Sequence, residues 1–194
     1  MTTRDFDVLI VGSGLAGLTA AMQLAPTHRV AIITKRAIND GSSGWAQGGI
    51  AAVMAEDDSF QSHVDDTLVA GAGLSQLDAT KFVVEHAPET IDWLVQMGVP
   101  FSKEAGHLHL TREGGHSARR IVHVTDATGA AVQQTLIEHV KKTPNVTVFE
   151  RHMLVDLITT RKLGMAPDEP QRCLGLYALD EDADEVITFR APHT

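Results

Sequence analysis

Val11-Gly12-Ser13-Gly14-Leu15-Ala16-Gly17 is the stretch that decides the fold. It carries G-x-G-x-x-G spacing, follows the apolar, β-branched run Phe6 to Val11, and opens a stretch of helical period. A continuous apolar run of that length reads as a fully buried parallel strand. Beyond it, Leu18, Ala21, Met22 and Leu24 recur on one helical face until Pro26 stops the pattern. Arg29 to Thr34 then reads as a second buried strand, so the opening predicts a βαβ unit. In that setting Gly12 permits a tight turn, and Gly14 leaves room for a pyrophosphate against the backbone. Gly17 lets helix and strand approach closely. The diphosphate would sit on the free N–H groups at the positive end of the helix, with Ser13, Leu15 and Ala16 completing the turn.

Working outward, Lys35 to Ala52 is a long Gly- and Ser-rich loop without period, and such loops are usually functional. Phe60, Val64 and Leu68 predict a helical face that Phe82, Val83, Ile91, Leu94 and Val95 continue. Pro88 either starts a new helix or kinks the old one, and Gly98 ends the segment. Residues 100 to 126 are polar and rich in Gly and His, with a short strand-like piece at Ile121 to Val124. Thr128 to Lys142 reads as a helix and Val146 to Phe149 as a third parallel strand. Met153 to Thr159, Arg172 to Leu179 and Glu185 to Phe189 predict antiparallel β, with the acidic run Asp180 to Asp184 as a solvated hairpin tip. The chain stops directly after a strand, which suggests part of a longer protein and an open sheet edge.

The 194 residues suffice for one well-buried domain. A formal charge of −9 speaks against a general nucleic-acid or membrane-surface role, both of which favour a basic face. Cys173 is the single cysteine, so no intramolecular disulfide forms. The apolar run after Met1 is too short for a signal sequence or a membrane span, and the cytoplasm is the expected location.

A dinucleotide fold normally closes its second strand with an acidic residue for the adenosine ribose. Lys35 stands there instead and would donate to a ribose or phosphate oxygen. Next comes Ser42-Ser43-Gly44-Trp45-Ala46-Gln47-Gly48-Gly49-Ile50-Ala51-Ala52. Its paired glycines suit a backbone lying flat against a planar ring, with N–H groups donating to ring heteroatoms; a merely flexible loop has the same composition.

With Ala46-Gln47-Gly48-Gly49-Ile50-Ala51 as its anchor, the sequence resembles the succinate dehydrogenase, fumarate reductase and L-aspartate oxidase flavoproteins. The resemblance implies FAD, its diphosphate on Gly12 to Gly17 and its isoalloxazine against residues 42–49. It implies an α/β fold: a Rossmann-like FAD-binding domain with a βαβ start, a helical insertion and an antiparallel β-meander near the C-terminus. Residues 1–194 would form the N-terminal part of that domain, incomplete relative to the family, without its capping and C-terminal helical domains. Respiratory members tether FAD through a His where Ser42 stands, so the resemblance implies non-covalent FAD.

His109-Leu110-Thr111-Arg112-Glu113-Gly114-Gly115-His116-Ser117 and Ser62 to Gly73 resemble the aspartate-oxidising branch. That implies oxidation of L-aspartate to iminoaspartate, with oxygen or fumarate as electron acceptor and a link to quinolinate synthase and NAD biosynthesis. Glu113 would orient the substrate ammonium, a charge-assisted hydrogen bond worth ~1.5–3 kcal/mol. Since the family's capping domain and substrate-gripping cations come later, little turnover is expected from this chain alone. A succinate or fumarate oxidoreductase fragment, or a non-catalytic FAD module needing a partner chain, are the alternatives. His107, His109, His116 and His123 lack standard metal spacing and read as hydrogen-bonding loop residues, His116 nearest the flavin. Arg119 and Arg120 would either hold an anionic group or be exposed. Trp45 and Trp93 read as packing residues.

Overall fold

The computed structural model describes residues 2–125, 127–165 and 170–194; Met1, Asp126 and 166–169 lie outside the described residues. In chain order the elements are β1 (Thr3–Asp5), β2 (Val8–Val11), α1 (Leu15–Leu24), β3 (Val30–Ile33), a 3-10 turn (Ser42–Trp45), β4 (Ile50–Ala51), α2 (Phe60–Ala70) and α3 (Leu77–Gln96). Then come β5 (Lys103–Glu104), β6 (His107–Leu108), β7 (Leu110–Thr111), β8 (Ile121–Val122), α4 (Thr128–Lys142), β9 (Val146–Phe149), β10 (His152–Thr159), β11 (Cys173–Asp180) and β12 (Glu185–Arg190). They group into two compact units, Met1–Gly44 with Leu136–Thr194, and Trp45–Thr135.

The first unit is the α/β core. Its parallel sheet runs β2-β3-β9, with Val8 opposite Val30 and Val30 opposite Val146. Side chains alternate across a strand, and the two faces are used differently. Leu9, Ala31 and Ile33 pack with Leu176, Ala178, Ile187, Phe189 and Ala191 of the second sheet, β1-β12-β11-β10. Phe149 meets Phe6 and Phe189 edge-to-face there, at 5.8 and 4.9 Å between ring centres. Ile10 points the other way, toward Gly17 of α1, whose Leu18 and Ala21 are buried. The βαβ start and the meander are therefore as the sequence indicates.

Some elements differ from the expectation. β1 joins the meander parallel to β12, although its side chains are polar and exposed. A hydrophobic pattern cannot reveal such a strand; the Arg190–Asp5 ion pair at 2.8 Å accompanies it. The acidic hairpin tip is more than solvated. Asp180 accepts from the N–H groups of Asp182 and Ala183, which hold its carboxyl below the usual range. Asp182 accepts from Arg151 at 2.6 Å. The outer edge of β2 is partly covered, since Leu9 N–H donates to the His193 carbonyl at 2.9 Å.

The second unit holds the helical insertion. Ser59 caps α2 by accepting from Ser62 N–H at 3.1 Å. α3 is one helix running through Pro88, with Val84, Ile91 and Leu94 buried. That stripe corrects the expected face. Phe82 and Val83 lie 63% and 65% exposed, because they sit two and one positions before Val84, away from the i, i+7, i+10 line. β4, β8 and β7 form a small antiparallel sheet inside the polar segment, and β5 pairs with β6. Among the described residues no helix is long and apolar enough to cross a membrane.

Candidate functional site

In the first unit the glycine-containing turn joins β2 to α1. Gly12 has φ of 104°, a conformation that favours glycine, and its N–H donates to Ile33 O at 2.9 Å. A Cβ at Gly17 would run into the Gly12 carbonyl, so this glycine is required by the packing of α1 against the turn. Gly14 differs: a Cβ there would meet nothing within 4 Å and would project into open space. The protein's own packing therefore does not explain Gly14, whereas a ligand approaching the backbone does. Gly14 is also the N-cap of α1 and provides no side-chain cap, leaving first-turn N–H groups for an external acceptor. Ser13 is buried and shares a hydrogen bond of 3.2 Å with Thr34, fixing the turn to the end of β3.

Lys35 follows directly and is exposed. It lines a cavity of about 560 Å³ with Arg36, Asp40, Glu150, Arg151 and Glu181. Acidic groups are thus present near the strand end, contributed by other elements. Glu150 Oε1 accepts from Ile38 N–H at 2.6 Å, which holds the start of the following loop. Ser42, Ser43 and Gly44 lie in the 3-10 turn.

In the second unit, Ala46 to Ala51 leads into the β4 ladder. Gly129 N–H donates to Ala46 O at 2.9 Å, and Ile50 pairs with Val122. A Cβ at Gly49 would collide with the Ile121 side chain and the Val122 carbonyl, so sheet packing accounts for that glycine. At Gly48 the nearest atom to a Cβ would be a Glu113 carboxylate oxygen, at 3.6 Å. Glu113 also accepts from Gly49 N–H at 3.3 Å. Gln47, Gly49 and Glu113 share a polar cavity of about 350 Å³ with Thr111, His123 and Val124. Residues far apart in sequence are thus gathered on one wall. Trp45 is 83% exposed, which corrects its reading as a packing residue.

Behind the loop that carries Glu113 lies a charge cluster the sequence conceals. Arg120 is fully buried, a correction to its reading as an exposed or anion-holding group. It donates to both Asp58 oxygens at 2.8 and 2.7 Å, to Asp66 at 2.6 Å and to Ser62 Oγ at 3.0 Å. Asp66 also accepts from Ser117 N–H and Oγ, and these bonds with Arg120 hold its carboxyl down to about 2. Arg120 likewise lowers Asp58. His63 is buried beside this cluster, its ring centre 5.5 Å from that of His116, and its Nδ1 has no hydrogen-bond partner among the described residues. Burial, then the Arg120 charge, pushes its pKa down. His116 lies 3.4 Å from Arg120 and is not on the cavity wall described above. His123, which no sequence motif singles out, is on that wall. Among the described residues no group of three His, Cys, Asp or Glu side chains is placed to hold a metal ion.

Comparison with known proteins identifies the family. The model of the FAD binding domain family matches residues 7–194. The chain is similar to the L-aspartate oxidase of Pseudomonas aeruginosa, 49% identical over 95% of this chain and 35% of that protein. It is also similar to L-aspartate oxidase 1 of Ralstonia nicotianae, 51% identical over 98% of this chain and 36% of that protein. Among solved structures, E. coli quinol fumarate reductase superposes with a TM-score of 0.89 at 29% identity, covering 100% of this chain and 33% of that one. Mycobacterium smegmatis Sdh1 gives 0.86 at 26%, covering 99% and 33%. The chain thus spans about a third of the length of the relatives it matches.

Proposed function

The chain belongs to the FAD binding domain family, and from that premise we propose that it is the cofactor-holding portion of an L-aspartate oxidase, which converts L-aspartate to iminoaspartate. The cofactor is FAD, which when bound supplies the two-electron acceptor. Gly12 to Gly17 and the first turn of α1 hold its diphosphate, and Lys35 donates to the adenosine side. Residues 42–49 line its ring, with no covalent bond because Ser42 offers no imidazole for the tether.

The observation that carries the substrate reading is Glu113, whose carboxylate shares one cavity wall with Gln47 and Gly49. Aspartate differs from succinate by an ammonium group, and a carboxylate in that cavity selects for it. Succinate offers this carboxylate no partner, which disfavours a succinate oxidoreductase. Among the described residues lining the cavity none is cationic, so this chain on its own binds the two substrate carboxylates weakly and turns over little. Oxygen or fumarate would serve as the electron acceptor in the complete enzyme. Iminoaspartate, a hydrolysable imine, is passed on to quinolinate synthase.

The test is a spectral titration of the FAD-loaded chain with L-aspartate and with succinate. Aspartate is expected to perturb the flavin band at lower concentration, and Glu113→Gln to erase the difference. Equal responses from the wild-type chain would contradict the reading.

A further inference from the structure

His123 on the wall of the Glu113 cavity is paired with His109, and the substrate reading above leaves the pair unused. β7 and β8 are in register with Leu110 opposite Val122 and Thr111 opposite Ile121. Continuing that register sets His109 opposite His123. Their rings meet accordingly, His109 Nδ1 lying 3.0 Å from His123 Nε2 with the planes at 70°. The backbone frames the pair through Ser102. His109 N–H donates to the Ser102 carbonyl at 2.9 Å, and Ser102 N–H donates to the His123 carbonyl at 2.8 Å. On its far side His109 Nε2 lies 3.8 Å from the Glu104 carboxylate of β5.

Glu104 lies beyond hydrogen-bond reach, but its negative charge on that side favours the tautomer of His109 with the hydrogen on Nε2. In that tautomer Nδ1 of His109 is a lone pair, and His123 Nε2 is the donor between the rings. That leaves Nδ1 of His123 as a lone pair, on the one ring of the pair that lines the cavity with Glu113. Glu104 is exposed and its pull is weak, but it need only choose between two tautomers. Arg119 is anchored beside β7, its Nε donating to the Leu110 carbonyl at 3.0 Å. Glu104 lies beside His109, and Glu113 lines the cavity with His123.

We propose that His123 is a second hydrogen-bond acceptor for the substrate's ammonium group, beside Glu113, and that His109 and Glu104 are positioning residues that fix its tautomer. This rests on the reading that an amino-dicarboxylate occupies the cavity.

The experiment uses the FAD-loaded chain with ¹⁵N-labelled histidine. At neutral pH both rings are expected in the Nε2–H tautomer. Glu104→Gln, an exposed change, is expected to relax that preference and to lower the ratio of aspartate to succinate affinity. His123→Phe removes the acceptor and should weaken aspartate by about tenfold or more, leaving succinate unchanged. A wild-type His123 protonated on Nδ1, or an unchanged ratio in His123→Phe, overturns the assignment while the Glu113 reading stands. A wild-type chain that does not distinguish aspartate from succinate defeats the substrate reading itself, and the second acceptor falls with it.

Discussion

Arg120→Ala removes a cation that faces two carboxylates in the interior of the second unit. The Asp58 side chain is 1% exposed and Asp66 18%, so water cannot replace the lost guanidinium at Asp58. Breaking a buried pair by deleting one partner costs about 3–5 kcal/mol, because the remaining charge stays desolvated. The upper end applies here, since Asp58 loses a bidentate partner and Asp66 and Ser62 each lose a bond. With a urea dependence of about 1–3 kcal/mol/M, the midpoint should fall by more than about 1 M, read by far-UV circular dichroism. Arg120→Ala with Asp58→Asn should recover part of the loss, because the stranded charge is gone. If the single variant costs less than about 1 kcal/mol, or the added Asn makes matters worse, the cluster is not the stability element described.

Gly14→Ala and Gly17→Ala should part company. The first points a methyl into open space, so it should fold like the wild type and weaken FAD binding, read by flavin retention on gel filtration. The second drives a methyl into the Gly12 carbonyl and should lower thermal stability even without FAD. Gly49→Ala overpacks against Ile121 and Val122 and should cost about 1–3 kcal/mol, measured by urea unfolding. Acid should unfold the second unit in two stages, followed by stability at stepped pH. His63 is depressed in the folded state, so its contribution is complete above the ordinary 6.5 and declines as pH falls below it. Asp66 and Asp58 are also depressed; their contribution is complete above 3.8 and for Asp66 is lost as pH falls through about 2. His63→Gln should remove the upper stage alone.

Much of this architecture was legible because it follows periodicity. Val30 to Ile33 are buried on both faces, as are the neighbours Val8 and Leu9, and a continuous apolar run of that kind is how a covered parallel strand reads. Gly12 and Gly17 could be read for the same reason: backbone geometry leaves no alternative residue. Gly49 was legible as important but not for its cause, which lies in β8, distant in sequence. Arg120 was misread because burial of a charge depends on Asp58 and Asp66, whose spacing from it carries no local pattern. The His109–His123 pair was hidden likewise, since β7 and β8 are each only two residues long. A strand that short has no detectable alternation.

On the reading proposed above, this chain holds FAD at the glycine turn without a covalent bond. That reading is tested most directly by the visible spectrum of the chain after mixing with FAD, desalting and acid precipitation. The account predicts a flavin band that survives desalting, passes wholly into the acid supernatant, and is diminished by Gly14→Ala. Flavin lost on desalting, or retained equally well by Gly14→Ala, would contradict it.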